Sequence, residues 1–114
     1  MRLNLNYRYF PAVVLLVVPS IVVGGTWSSQ TKVSTIFINA TDNGGTIYFK
    51  FDSMINPDDC ANSQQIALVH GSPYEDQIYA MYLSAHAGRK TVRYRVDGCT
   101  PNGYPKLLNA TIAD

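Results

Sequence analysis

Helical periodicity is confined to one stretch, Ser72 to Gly88 (SPYEDQIYAMYLSAHAG), and the segments around it alternate like strands. Ser72 reads as an N-cap. Pro73 takes the first helical position, where its missing N–H costs nothing, and Glu75 completes a capping box. Glu75 and Asp76 suit the positive end of a helix dipole. The spacing predicts a helix running to Ala87 and stopped by Gly88. A chain with one helix has to build the rest of its core from strands.

Lys32–Asn39 (KVSTIFIN) is β-branched and aromatic and predicts a first strand. Thr46–Asp52 (TIYFKFD) predicts a second, with Ile47, Phe49 and Phe51 facing one way and Tyr48, Lys50 and Asp52 the other. Asn43-Gly44 between them is a turn signal, so the two form a hairpin. Gln65–Val69 predicts a third strand. Lys90–Val96 predicts a fourth, with Val92, Tyr94 and Val96 inward and Arg93 and Arg95 outward. Asp97-Gly98 reads as a turn, and Tyr104–Ala113 as a fifth strand whose early part Pro105 restricts to a sheet edge. The order β-β-β-α-β-β is that of the OB-fold. The expected fold class is therefore mainly β, a five-stranded OB-fold-like barrel with one helix, with a two-layer α+β sandwich as the alternative.

The N-terminal quarter stands apart. Met1–Phe10 carries Arg2 and Arg8 and no acid, and Ala12–Gly25 is an apolar run interrupted by Pro19 and Ser20. A basic start, an apolar core and small residues at its end describe an export signal. The run falls short of the roughly 20 apolar residues that span a bilayer. The expected organisation is thus residues 1–25 as signal peptide and 26–114 as a single domain, secreted or periplasmic, with no stable membrane insertion after cleavage. The net charge of +1 then moves to about −1, because Arg2 and Arg8 leave with the signal and all eight acids remain. That balance gives no reason to expect nucleic acid as a partner. Arg93, Arg95 and Lys90 could track a phosphate backbone with help from Tyr48 or Tyr104, but they read better as a solvated strand face that discourages edge pairing.

In an exported chain, Cys60 and Cys99 are expected to form a disulfide. Neither has a C-x-x-C partner or a neighbouring histidine that would suggest redox or metal chemistry. Catalytic signals are weak throughout. His70 and His86 read as surface or capping residues, and no serine lies in a G-x-S-x-G elbow. Asp58-Asp59 is too short for a calcium loop, and Asn43-Gly44-Gly45 lacks the helix and lysine of a phosphate loop. Asp58, Asp59 and Glu75 could be drawn as a glycosidic carboxylate pair, but so small a domain offers little cleft. The expectation is no enzyme, no cofactor and no metal. Asn39-Ala40-Thr41 and Asn109-Ala110-Thr111 are sequons that act only in a eukaryotic secretory pathway.

On a helical wheel Tyr74, Met81, Tyr82 and Ala85 cluster around Ile78, while Tyr79 and Leu83 widen the apolar arc beyond the ~100° that one small core needs. The excess predicts a subunit contact through Tyr79 and Leu83 and hence a homo-oligomer.

Ser72–Gly103 resembles the helix and fourth strand of the B subunits of subtilase-cytotoxin and pertussis-type bacterial toxins. The shared pattern is Tyr79-Ala80-Met81-Tyr82-Leu83, a glycine stop at Gly88 and the alternating Val92-Arg93-Tyr94-Arg95-Val96. The resemblance implies an OB-fold, assembly as a ring, binding of a cell-surface glycan and a separate enzymatic A-type subunit. No glycan-site residue carries over, because Ser28–Ser34 has hydroxyls but no matching pattern. The expected function is a secreted, non-catalytic binding module of toxin-B-subunit type. The alternative is a periplasmic or extracellular protein-binding or inhibitor-like module without lectin activity.

Overall fold

The computed structural model describes residues 24–113, so the expected signal, residues 1–25, lies outside them apart from Gly24 and Gly25. The elements are β1 (Thr26–Trp27), β2 (Val33–Asn39), β3 (Thr46–Phe51), β4 (Ile66–Val69), α1 (Glu75–Gly88), β5 (Thr91–Cys99) and β6 (Pro105–Ala113). They form one six-stranded mixed sheet in the order β1-β5-β6-β4-β3-β2, with α1 packed against β2, β5 and β6. Every pairing is antiparallel except β4–β6. Among the described residues no helix is long and apolar enough to cross a membrane.

The expected closed OB-type barrel is corrected by this topology. The sheet has two edges, β1 and β2, and is not closed. Both edges come from one run of chain, split by residues 28–32. There side-chain bonds stand beside a few backbone ones and the regular ladder is interrupted. The Ser28 hydroxyl accepts from the Tyr94 N–H at 3.0 Å, and the Thr31 hydroxyl accepts from the Ser53 N–H at 2.8 Å. Hydroxyl side chains compete with strand ladders in this way. Between the run and β5 stand a two-residue strand, the backbone bond from the Ser28 N–H to the Tyr94 carbonyl and the single bridge Thr31–Val92.

Other expectations shift locally. Residues Asp97-Gly98 continue β5, through register irregularities after Arg95 and Val96, and the reversal falls at Thr100–Tyr104. β6 is an interior strand between β5 and β4 rather than an edge. Pro105 fits there because it is the first residue of the strand, where no ladder N–H is required.

The helix start also differs. The Ser72 hydroxyl donates back to the Val69 carbonyl at 2.6 Å, and the Glu75 carboxylate accepts from the Gly71 N–H at 2.9 Å. Tyr74, in the left-handed region at φ 59°, turns the chain into α1. At the other end Gly88 is still helical, and Arg89 adopts the left-handed conformation at φ 54°.

The core lies where the alternation places it. Phe49, Phe51, Val92, Tyr94 and Val96 are buried against Ile78, Tyr82 and Ala85 of α1. Phe51 stacks on Tyr94 at 4.0 Å, and Tyr82 meets Phe49 and Phe51 edge-on at 5.2 and 5.6 Å. The hydroxyls of Tyr82 and Tyr94 each find a backbone partner, as a buried polar group requires. Tyr82 donates to the Arg93 carbonyl at 2.7 Å, and Tyr94 donates to Ser53 at 2.9 Å while accepting from the Ile55 N–H. Cys60 and Cys99 form the expected disulfide, fastening the loop after β3 to the end of β5.

Candidate functional site

A concavity of about 680 Å³ lies between the first turns of α1 and strand β6. Tyr74, Gln77, Ile78 and Met81 supply one wall. Their spacing of three and four residues places them on one helix face. Lys106–Ala110 of β6 supplies the facing wall, and Val69 at the end of β4 closes one side. Ile78 and Leu107 are buried beneath it, while Tyr74 is 75% and Leu108 46% exposed at its mouth. The rim is polar, with Ser72, Gln77 and Asn109, and Asp97 and Lys106 lie together at one end. An apolar floor with a few placed polar groups, at this volume, matches the general character of ligand grooves, which run about 300–1,000 Å³.

The groove follows from two local facts. The stripe Tyr74–Ile78–Met81 faces β6, and Ile78 and Met81 both pack on the core. On β6 the pair Leu107-Leu108 sends one leucine in and one out, so an apolar side chain stands at the mouth of the groove. Reading the helix stripe as a face that closes a barrel hid the groove. The doubled leucine on an alternating strand was the signal for it.

The residues singled out in the sequence are not brought together. Asp58 accepts from the Gly98 N–H at 2.7 Å beside the disulfide, while Glu75 accepts from Gly71 and lies 3.4 Å from His70. They serve separate turns. His86 Nδ1 lies 2.9 Å from the Val33 carbonyl, so α1 is pinned to the start of β2. Among the described residues no group of three or more His, Cys, Asp or Glu is placed to hold a metal ion.

On the Arg93–Arg95 face Arg93 is exposed and Arg95 half-buried, and both reach the N-terminal run of the described residues. The Arg93 guanidinium lies over Trp27, and its Nε donates to the Ser28 carbonyl at 3.1 Å. Arg95 donates to the Gly24 carbonyl and to Asn109 Oδ1. Gly25, at φ 96°, passes so close to Arg95 that a side chain there would meet Arg95 Nε at 2.6 Å.

Tyr48, expected on the polar side of its strand, is 2% exposed. Tyr104 packs on it edge-on at 4.9 Å, and Phe37 stacks from the other side at 6.0 Å. Its hydroxyl donates to Asp42 Oδ2 at 2.7 Å and accepts from Asn102 at 3.0 Å. Burial raises the pKa of that hydroxyl above the ordinary tyrosine value; the Asn102 bond opposes the shift and Asp42 adds to it. Of the two expected interface residues, Leu83 is 45% exposed and Tyr79 is half-buried against the core.

Comparison with protein-family models, characterised proteins and solved structures finds no significant match to this chain.

Proposed function

We propose that this chain is a small disulfide-fastened binding module, without catalysis of its own, that takes an apolar segment of another protein into the groove between α1 and β6. One observation carries the reading: the groove joins an aliphatic floor to amide groups on facing walls, Gln77 on α1 and Asn109 on β6, the latter with its Oδ1 accepting from Arg95. A peptide presents that same pairing, with apolar side chains for the floor and backbone N–H and C=O groups for amides that both donate and accept. A lipid tail would offer the Gln77 amide no partner, and burying such a group unpaired is costly. Asp97 and Lys106, of opposite sign at one end, favour a peptide without a strong net charge. The glycan-binding expectation came from the resemblance of Ser72–Gly103 to toxin B subunits, whose implied closed barrel is corrected to an open sheet.

The test is selection of displayed random peptides on the full chain. The selected peptides are expected to carry large apolar residues. Tyr74→Ser and Leu108→Asp, both at exposed positions, are each expected to weaken binding about tenfold or more, since aromatic and apolar anchors dominate such contacts. Phe37→Ser, away from the groove, is expected to change nothing. Peptides that bind Tyr74→Ser and Leu108→Asp as well as the parent would overturn the reading. So would an array of sialylated and neutral glycans on which the chain binds through any surface other than the groove.

A further inference from the structure

Strand β2 is a sheet edge of seven residues, VSTIFIN, with no charged side chain and no proline. Long, uncharged edges of this kind pair with other strands unless something blocks them. The opposite edge, β1, is protected by its length of two residues. On β2 the protection is limited to the first residues. A register irregularity falls between Val33 and Thr35, and His86 occupies the Val33 carbonyl. From Thr35 onward the edge is open, and Phe37 and Ile38 are 47% and 55% exposed, on opposite faces of the sheet.

We infer that β2 is a self-recognition strand that pairs antiparallel with β2 of a second copy, centred on Phe37. The choice of a second copy rests on the strand's own complementarity. In an antiparallel pair centred on Phe37, Phe37 stands opposite Phe37 of the partner subunit. Ile36 then stands opposite the partner's Ile38, and Thr35 opposite the partner's Asn39. Apolar meets apolar, polar meets polar, and no like charges face one another. Moving the centre to Ile36 places Ile38 opposite the partner's Ser34 and Phe37 opposite the partner's Thr35, so the match is lost. The helix side agrees. His86 ties α1 to the start of β2, and Leu83 and Tyr79 lie three and seven residues earlier on the same helical stripe. The stripe predicted from sequence as a subunit contact therefore runs along the edge that pairs. A two-fold contact of this kind closes on itself and gives a dimer rather than a ring. It uses a surface separate from the groove, so either proposal can fail without the other.

Cysteine cross-linking reads out the register directly. Residues directly opposite in an antiparallel pair have Cα atoms about 4.5–5.5 Å apart, within disulfide range. The full chain carrying Phe37→Cys, with Cys60–Cys99 intact, is expected to form a covalent dimer on mild oxidation. Thr35→Cys alone is expected to stay monomeric on a non-reducing gel, because its opposite number is Asn39. Mixing Thr35→Cys with Asn39→Cys chains is expected to restore the dimer, which keeps the test informative if Phe37→Cys folds poorly. Light scattering of the unmodified chain is expected to give a dimer at tens of micromolar, reduced to monomer by Ile38→Lys. A monomer or a five-fold ring in the unmodified chain would overturn the inference, as would equal cross-linking of Phe37→Cys and Thr35→Cys.

Discussion

The guanidinium carbon of Arg93 sits 5.1 Å from the centre of the Trp27 ring, which holds the two-residue strand β1 against β5. With the Arg93 bond to the Ser28 carbonyl and the Arg95 bond to Gly24, it fastens residues 24–28 along the edge of β5. The contact is partly exposed, so the Trp27–Arg93 coupling is expected to be modest, about 0.5–1 kcal/mol. A double-mutant cycle of Trp27→Ala and Arg93→Ala, followed by denaturant unfolding, measures it. Additive losses with no coupling would show that the ring and the guanidinium are merely adjacent.

Removing the Cys60–Cys99 bond, separated by 39 positions, is expected to cost about 4 kcal/mol through the freed loop of the unfolded chain. The double substitution Cys60→Ala, Cys99→Ala avoids leaving a reactive thiol. Denaturation midpoints of parent and variant report the loss, and equal midpoints would contradict it.

At the end of α1 the structure separates two roles that the sequence merged. Gly88 is the natural stop signal, yet it is helical, and Arg89 carries the left-handed turn. Arg89→Gly is therefore expected to raise stability by about 1 kcal/mol, the cost an L side chain bears in that conformation. Gly88→Ala is also expected to stabilise, by about 0.5–1 kcal/mol, because the added methyl meets Lys90 only at ordinary contact distance. Thermal unfolding of the two variants decides the assignment. A loss for Gly88→Ala together with no gain for Arg89→Gly would restore the glycine stop.

Much of the fold was readable because period-two patterns survive folding where one face is buried. Val92, Tyr94 and Val96 on β5 and Phe49 and Phe51 on β3 are inside as the alternation requires. The misreadings have local causes. Thr26-Trp27 is too short to carry a period, so β1 was invisible, and with it the sixth strand. Tyr48 looked polar-facing because its cover, Tyr104, arrives from a distant loop brought near by the Cys60–Cys99 bond. The barrel expectation failed because element order does not record which strands pair, and here β1 and β2 are left as the two edges of one sheet. The groove was half-legible: its helix stripe was identified, but which strand would face it was not.

Alkaline stability follows from the buried hydroxyls. Burial pushes the Tyr94 pKa up to about 12 and that of Tyr82 well above the ordinary range. A tyrosine whose folded pKa is raised favours the native state while it is neutral. Its contribution is complete below the unfolded value of about 10 and is lost as pH rises toward 12. Unfolding midpoints are therefore expected to fall between those values. In Tyr94→Phe the fall should be shallower, from a starting stability lowered by about 1–3 kcal/mol because the Ile55 N–H and Ser53 carbonyl lose their partner. Ultraviolet absorbance of tyrosinate against pH, run beside the unfolding series, checks the sign. A slope identical in parent and variant would contradict it.

The claim that the α1–β6 groove is the binding surface is tested most directly by amide chemical-shift mapping of the full chain titrated with a selected apolar peptide. The expected result is a contiguous set of shifts at Tyr74, Gln77, Met81, Leu108 and Ala110, with the β2 amides unmoved. Shifts confined to Phe37 and Tyr104 on the opposite face, or none at saturating peptide, would contradict the account.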